Sequence, residues 1–255
     1  MSASRQASRN LLLDAIPDEA WARLSLDLVP VEMPAGQILH RPSAAIRDAY
    51  FPTTSIVSSL YLMEDGSSSG VALVGPEGMV GVSLFLGRAA PPDQAQVLRA
   101  GQGWKVPAQR LAQEFGRGGP LTEVLLGYTQ SLIVQMMQTS ACNSRGTLQE
   151  RLCRWLLMNL DRAPGGEMKM THQTIADVLG VRRESVSETA GVLQDQGAIR
   201  YRWGRISVLD RPALERRVCA CYRCPDGPVP RAPTSSQRHI DKPTFRGTAL
   251  ASAAI

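Results

Sequence analysis

Arg182, Arg183, Glu184, Ser187 and Glu188 put two guanidiniums, two carboxylates and a hydroxyl in one short stretch, and Arg200, Arg202 and Arg205 follow closely. A planar guanidinium forks onto paired acceptors such as O6 and N7 of guanine, and a carboxylate accepts from an amino group such as N4 of cytosine. Arginines at alternate positions of a strand instead suit phosphate contacts, which position a protein on a polyanion without reading its sequence. A second group is Cys219, Cys221 and Cys224, three thiols in six residues of the kind that bind zinc or an iron–sulfur cluster. The run lacks a complete ligand set, and a fourth ligand would have to come from Cys142, Cys153, a partner chain or a histidine. Ordinary or redox-reactive thiols are therefore the preferred reading, with no metal. His40, His172 and His239 are scattered; His172 could touch a phosphate, although simple solvent exposure is the plainer reading. No nucleophile–base set, metal-hydrolase helix or phosphate-binding glycine loop is present, and the GPEGMVG run reads as a turn. The chain is not expected to be an enzyme.

The elements that must hold these side chains follow from spacing. Thr171 is a ready N-cap, its hydroxyl able to accept from an unpaired N–H of the first turn. Ile175, Val178 and Leu179 then make one apolar face, Ala176 allows close approach of a second helix, and Gly180 supplies a left-handed turn. A second helix is predicted from about Arg182 to Gln196. Val186, Ala190 and Leu193 face inward, Glu184, Ser187 and Glu188 face outward with Arg183 beside them, and Gly197 ends the helix. Ile199 and Tyr201 alternate with Arg200 and Arg202, and Ile206 and Val208 continue beyond a Trp203-Gly204 turn, which makes a basic hairpin. Helix, turn, helix and hairpin in that order are what a winged helix-turn-helix uses to lay one helix in the DNA major groove.

Charge distribution agrees with a polyanionic partner at one end only. Residues 145–217 carry 13 Lys and Arg against 9 Asp and Glu, whereas residues 10–144 carry 8 against 12. The formal charge of +5 conceals that asymmetry. The five cysteines form no disulfide framework, no apolar run approaches a membrane span, and the N-terminus lacks the features of a secretory signal. A cytoplasmic protein without membrane contact is expected.

Upstream, residues 10–28 predict one or two short helices around Leu12, Leu13, Ile16, Trp21 and Leu24. From Val29 to about Val106 short β-like runs (49–51, 56–63, 70–74 and 96–99) are separated by Gly, Pro, Asp and Ser, with a hairpin turn at Glu64-Asp65-Gly66. Residues 121–143 predict a long helix, roughly 34 Å at about 1.5 Å per residue. Along it Leu121, Leu125, Tyr128, Leu132, Gln135 and Thr139 form a four-three seam, read here as a dimer interface between two copies. A helix packed only on its own domain would also satisfy the early apolar positions. Residues 147–160 predict a supporting amphipathic helix, with Leu148, Leu152, Trp155, Leu156 and Leu160 inward.

Together these stretches resemble the Crp/Fnr family of bacterial transcription regulators over about residues 11–217. The resemblance is carried by YFPTTSIVSSLYLMEDG (50–66), GPEGMVGVSLFLG (75–87) and the helix-turn-helix segment. It implies an effector-sensing β-roll coupled through a dimer helix to DNA binding, with RNA polymerase as a further partner. By that resemblance Arg183, Glu184, Ser187 and Glu188 are base-reading residues. Thr171, Arg182, Arg200, Arg202 and Arg205 are phosphate contacts, Arg182 standing where a small N-cap is usual. Glu188 stands where many relatives carry arginine, so the half-site is expected to differ from theirs. Relatives that bind cyclic nucleotides hold the ribose with a Gly-Glu pair and the cyclic phosphate with a later Arg-Ser pair. Here Val82 follows Gly81, and Asp93-Gln94 stands at the second position, with Arg88 and Arg99 out of register. Cyclic AMP is therefore not the expected effector, since an aspartate repels a phosphate.

The expected fold is α+β. It comprises a flexible N-terminus (1–10), a double-stranded, cupin-like β-roll sensor (11–120), a dimerisation helix (121–144), a winged helix-turn-helix (145–217) and a disordered basic tail (218–255). The expected function is sequence-specific DNA binding by a homodimer on a palindromic operator. A ligand- or redox-sensing module acting mainly through protein–protein contacts is the alternative.

Overall fold

The computed structural model describes residues 9–87, 90–162 and 167–223. It opens with two short helices, α1 (Leu11–Asp14) and α2 (Asp18–Leu24). Asn10, expected in a flexible N-terminus, is instead fully buried. Its Oδ1 caps α1 by accepting from Leu13 N–H, and its amide donates to the carbonyls of Pro52 and Gly78. An amide with that many buried partners is fixed because an unpaired polar group there would be costly.

Seven strands follow: β1 (Val29–Met33), β2 (Ile38–His40), β3 (Asp48–Pro52), β4 (Ile56–Leu62), β5 (Ser68–Val74), β6 (Gln94–Arg99) and β7 (Gly101–Pro107). They form two antiparallel sheets, ordered β1-β7-β3 and β2-β6-β4-β5. Met33, Val57, Ala72, Val74, Val80, Ala95 and Val97 fill the space between them. The β4–β5 hairpin turns at Glu64-Asp65-Gly66, where Gly66 takes a positive φ of 82° and Asp65 accepts from Ser67. A helix that the β-like texture did not announce, α3 (Ala108–Gly116), packs beside α1 and α2.

The long helix, α4 (Pro120–Arg145), packs along β5 and against α3. Its four-three seam is covered by the chain itself. Leu121 and Leu125 lie among α1–α3, Tyr128 packs there and donates to the Met79 carbonyl at 2.9 Å, and Leu132 enters the roll. Gln135 bonds both Leu73 N–H (2.7 Å) and Leu73 C=O (3.1 Å), capping the free edge of β5. Thr139 donates to the Gln135 carbonyl and accepts from Arg154. Five of these six residues expected at a dimer interface are buried within the chain, and Thr139 is half-buried and bonded within it, so little of that seam is open to a second copy. The outward seam of α4 is a different one. Leu126, Ile133 and Met137 are 46%, 45% and 66% exposed.

After α4 come α5 (Leu148–Arg162), β8 (Glu167–Lys169), α6 (His172–Leu179), α7 (Arg183–Asp195), β9 (Ile199–Arg202), β10 (Arg205–Val208) and α8 (Arg211–Arg217). β8, too short to show a period, completes a small sheet ordered β8-β10-β9. Leu152, Trp155 and Leu156 of α5 share one core with Ile175, Val178 and Leu179 of α6 and Val186, Ala190 and Leu193 of α7. That core continues into the roll through Ile56, Leu60, Leu73 and Leu98. The two halves are also pinned by charge, since Arg162 donates to Glu77 at 2.7 Å with both side chains buried. Arg151 donates to the Leu179 carbonyl.

The expected disordered tail does not begin at 218. Val218 and Cys219 are buried in the same core, and a 3-10 turn spans Ala220–Arg223. Tyr222 donates to Asp161, and Arg211 bonds Asp161 and Glu215. Residues 224–255 lie outside the described residues. No helix among the described residues is long and apolar enough to cross a membrane.

Candidate nucleic-acid interface

α6 starts as its sequence dictates: Thr171 Oγ1 accepts from Thr174 N–H at 3.1 Å. Gly180, at φ 63°, ends it in the left-handed region, and one turn later α7 begins with Arg182 at the N-cap position. Arg182 makes no side-chain cap bond, so its guanidinium is exposed beside the positive end of the helix dipole. Burial of Val186, Ala190 and Leu193 fixes the rotation of α7 and leaves Arg183, Glu184 and Glu188 on the exposed face. These residues form one solvent-facing polar surface.

Ser187 belongs to the rim of that surface. Its hydroxyl lies 2.7 Å from His172 Nδ1 and 3.1 Å from the Arg183 carbonyl. His172, expected to be solvent-exposed, is half-buried and stacks on Tyr201 with ring centroids 3.9 Å apart. Burial, and secondarily the Arg183 charge, hold its imidazole below the usual histidine range. A neutral ring can stack and share a hydrogen bond with Ser187 without adding a cation, so it works as a spacer between α7 and the hairpin. Spacing in sequence could not show this, because the ring's partners lie 15 and 29 residues away.

The hairpin is held against α7 by Tyr201 N–H, which donates to Gln194 at 2.8 Å. Ile199 and Ile206 face the core while Arg200 and Arg202 stay exposed. Its two turn residues, Trp203 and Gly204, both have positive φ, 53° and 70°. This suits the right-handed twist of a two-residue hairpin but strains a bulky side chain at the first position. Trp203 is 86% exposed at the hairpin tip. Turn propensity alone does not call for a strained, solvent-facing indole between two arginines. Arg205 donates to Glu167 at 2.5 Å and so is already partnered, unlike the open guanidinium expected of a phosphate contact. Thr171 is likewise committed to its cap.

Residues 150–217 match the Crp-like helix-turn-helix domain. Over 174 residues the chain is 28% identical to the transcriptional regulator LdrP of Thermus thermophilus, covering 63% of this chain and 87% of that protein. A Crp/Fnr-family regulator of Eubacterium rectale has the same fold, with a TM-score of 0.67 at 18% identity over 82% of this chain and 98% of its own. FixK2 of Bradyrhizobium japonicum aligns with a TM-score of 0.65 at 21% identity, over 76% of this chain and 98% of its own. The chain therefore carries a Crp-like helix-turn-helix domain and has the fold of these regulators.

Two features of the chain stand apart from the α7 surface. The Cys219 thiol donates to Cys142 Sγ at 3.1 Å inside the shared core, and Cys221 is half-buried nearby. Burial, with the Cys219 thiol beside it, pushes the Cys142 thiol up to about 12. Cys224 lies outside the described residues, and among those described no cluster of three or more His, Cys, Asp or Glu is placed to hold a metal. The second feature is a pair of arginines on α5, Arg154 and Arg162, both buried. Nothing in their spacing marked them for the interior.

Proposed function

We propose that the chain is a Crp/Fnr-type transcription regulator that acts in the cytoplasm as a homodimer, without catalysis, and binds a palindromic operator. The carrying observation is the surface of α7. Arg183, Glu184 and Glu188 face out together, Ser187 sits at their edge, and the opposite face is locked into the core. Arg182, Arg200 and Arg202 surround that surface as exposed cations suited to phosphates, and Trp203 extends it at the hairpin tip. Arg205 and Thr171 act here as structural supports. Leu126, Ile133 and Met137 offer the second copy an apolar seam, which would set two α7 helices into successive major grooves about 34–36 Å apart. The roll then senses an effector, and promoter-bound dimers contact RNA polymerase.

The test separates reading from positioning. A preferred site is selected from random duplexes, and mobility shifts are run over a salt series. Arg183→Ala should lose about 1–3 kcal/mol of discrimination at a single base pair. Arg202→Ala should weaken every sequence alike and reduce the salt slope by about one. Equal, uniform losses in both variants would refute these roles. Binding with no sequence preference and a shallow salt slope would refute operator recognition itself and favour a module acting through protein contacts.

A further inference from the structure

Between the β-roll and α4 lies a cavity of about 790 Å³, within the range of small-molecule sites. Its walls do not fit a cyclic nucleotide. Val82, where a ribose-binding carboxylate would follow Gly81, opens a 3-10 turn and packs against apolar neighbours. At the position expected of a phosphate-binding arginine, Asp93 faces the cavity. No Lys or Arg lines the cavity among the described residues. Arg99 sits at the far end of β6, and Arg88 lies outside the described residues.

Asp93 is held in place as an anion. Ser59 Oγ donates to its Oδ2, and His40 Nε2 lies 3.4 Å from its Oδ1. Burial alone would raise this carboxyl, but the bonds from His40 and Ser59 outweigh it and keep the group below the usual aspartate range. Much of the remaining wall is apolar, including Val57, Val74, Val80, Leu132 and Met136. A phosphodiester placed here would bring its charge to a fixed carboxylate and find no Lys or Arg among these side chains, His40 being already paired with Asp93. A donor-bearing group would instead find a preorganised acceptor at one end of an apolar chamber.

We propose that this cavity binds an uncharged or cationic small molecule with a largely apolar body, its hydrogen-bond donor or ammonium turned to Asp93. The inference rests on reading the roll as the sensor and specifies the class of its effector. Its position suits that role, because Gly70, on the cavity wall in β5, is in close contact with Val178 of α6. Thr139 and Asn143 near the end of α4 also line it.

The experiment uses the full chain and the neutral fluorophore N-phenyl-1-naphthylamine, displaced in parallel by octylamine, octanol, octanoate and cyclic AMP at neutral pH. Saturable binding is expected. Octylamine should displace the probe at concentrations about tenfold or more below octanoate, as one screened charge contact implies, with octanol between them. Cyclic AMP should not displace it. Asp93→Asn should retain the probe and lose the preference for amine over carboxylate. Met136→Trp should exclude the probe while circular dichroism stays unchanged, which separates the cavity from the exposed seam of α4. Octanoate competing as well as octylamine, or displacement by cyclic AMP, overturns the proposal, and loss of that displacement in Arg88→Ala would trace the phosphate site. If the wild-type chain takes up none of these compounds, the sensing role of the roll falls as well. If it takes them up with the opposite charge preference, only the ligand class falls. The wild-type series decides this even where a variant misfolds.

Discussion

Replacing Ile133 by glutamate tests whether two copies of this chain meet on the outward seam of α4. Leu126, Gln130, Ile133 and Met137 follow one another by four, three and four residues on the side of α4 that faces away from the roll. Fully burying an apolar side chain of this size is worth about 1.5–3 kcal/mol, and these three are roughly half exposed, leaving about 1 kcal/mol each to gain. Six such side chains across a two-fold axis supply about 6 kcal/mol before the cost of association. Ile133→Glu removes two of them and sets two carboxylates near the axis, for a combined loss of about 3 kcal/mol, or roughly a hundredfold in dimer Kd. Sedimentation equilibrium reads this directly, and mobility shifts on full and half operators read its consequence. The contrast is Leu132→Ala, one position earlier and buried within the chain. It should destabilise folding by about 2–5 kcal/mol in urea while the folded fraction still dimerises. If Ile133→Glu sediments as the wild type does, and Leu132→Ala dissociates without unfolding, the assignment of the two faces is reversed.

Two further outcomes follow from buried groups. Arg162→Met, which leaves Glu77 charged and unpaired in the interior, should lower the unfolding free energy by about 3–5 kcal/mol in urea, and Glu77→Leu in the same chain should restore most of it. Arg205→Ala, which breaks a half-exposed pair with Glu167, should change it by less than about 1 kcal/mol, and equal losses in the two cases would refute the difference in burial. Alkaline pH provides the other test, since burial pushes Cys142 up to about 12 and Cys153 up to about 11. The unfolded thiols release protons from about pH 9 while the native ones keep theirs, so stability should decline as pH rises from about 9 towards the native values. Urea midpoints at pH 8, 9 and 10 measure that slope, and Cys142→Ala with Cys153→Ala should flatten it. An unchanged slope would show that the buried thiols are not its source.

Local rules made the DNA-facing half readable. A hydroxyl cap at Thr171, a left-handed Gly180 and three apolar positions in α7 each act within a few residues, and the structure places them accordingly. α4 shows where such rules stop. Two four-three seams run along it, and periodicity cannot say which one the chain will cover with its own roll. Polar Gln135 lies on the covered side because the free edge of β5 offers it a donor and an acceptor, a long-range match with no local trace. The same holds for Arg205 with Glu167 and for Arg162 with Glu77, where a partner 38 or 85 residues distant decides whether an arginine faces solvent. Asp93 was legible only as a departure, and its hold on His40 and Ser59 required the sheet.

β5 is where the β-roll and the helix-turn-helix meet. Val71, Ala72 and Val74 of this strand line the roll cavity, Leu73 packs in the core shared with the helix-turn-helix, and the free edge is capped by Gln135 of α4. At its start, Ser68 donates to the Asp177 carbonyl of α6, and Gly70 lies so close to Val178 that an added Cβ would fall 2.6 Å from Val178 Cγ1. α6 in turn carries α7 through the shared apolar core, and the buried Glu77–Arg162 pair ties the turn after β5 to α5. A ligand that displaced the cavity wall would therefore have to disturb packing against α6, the Gln135 bonds to α4, or both. Close-packed interiors absorb such shifts by moving whole elements, because they have little void to compress. The coupling of effector to operator that we propose then needs no separate hinge: the strand that walls the cavity is also the strand on which the helix-turn-helix rests.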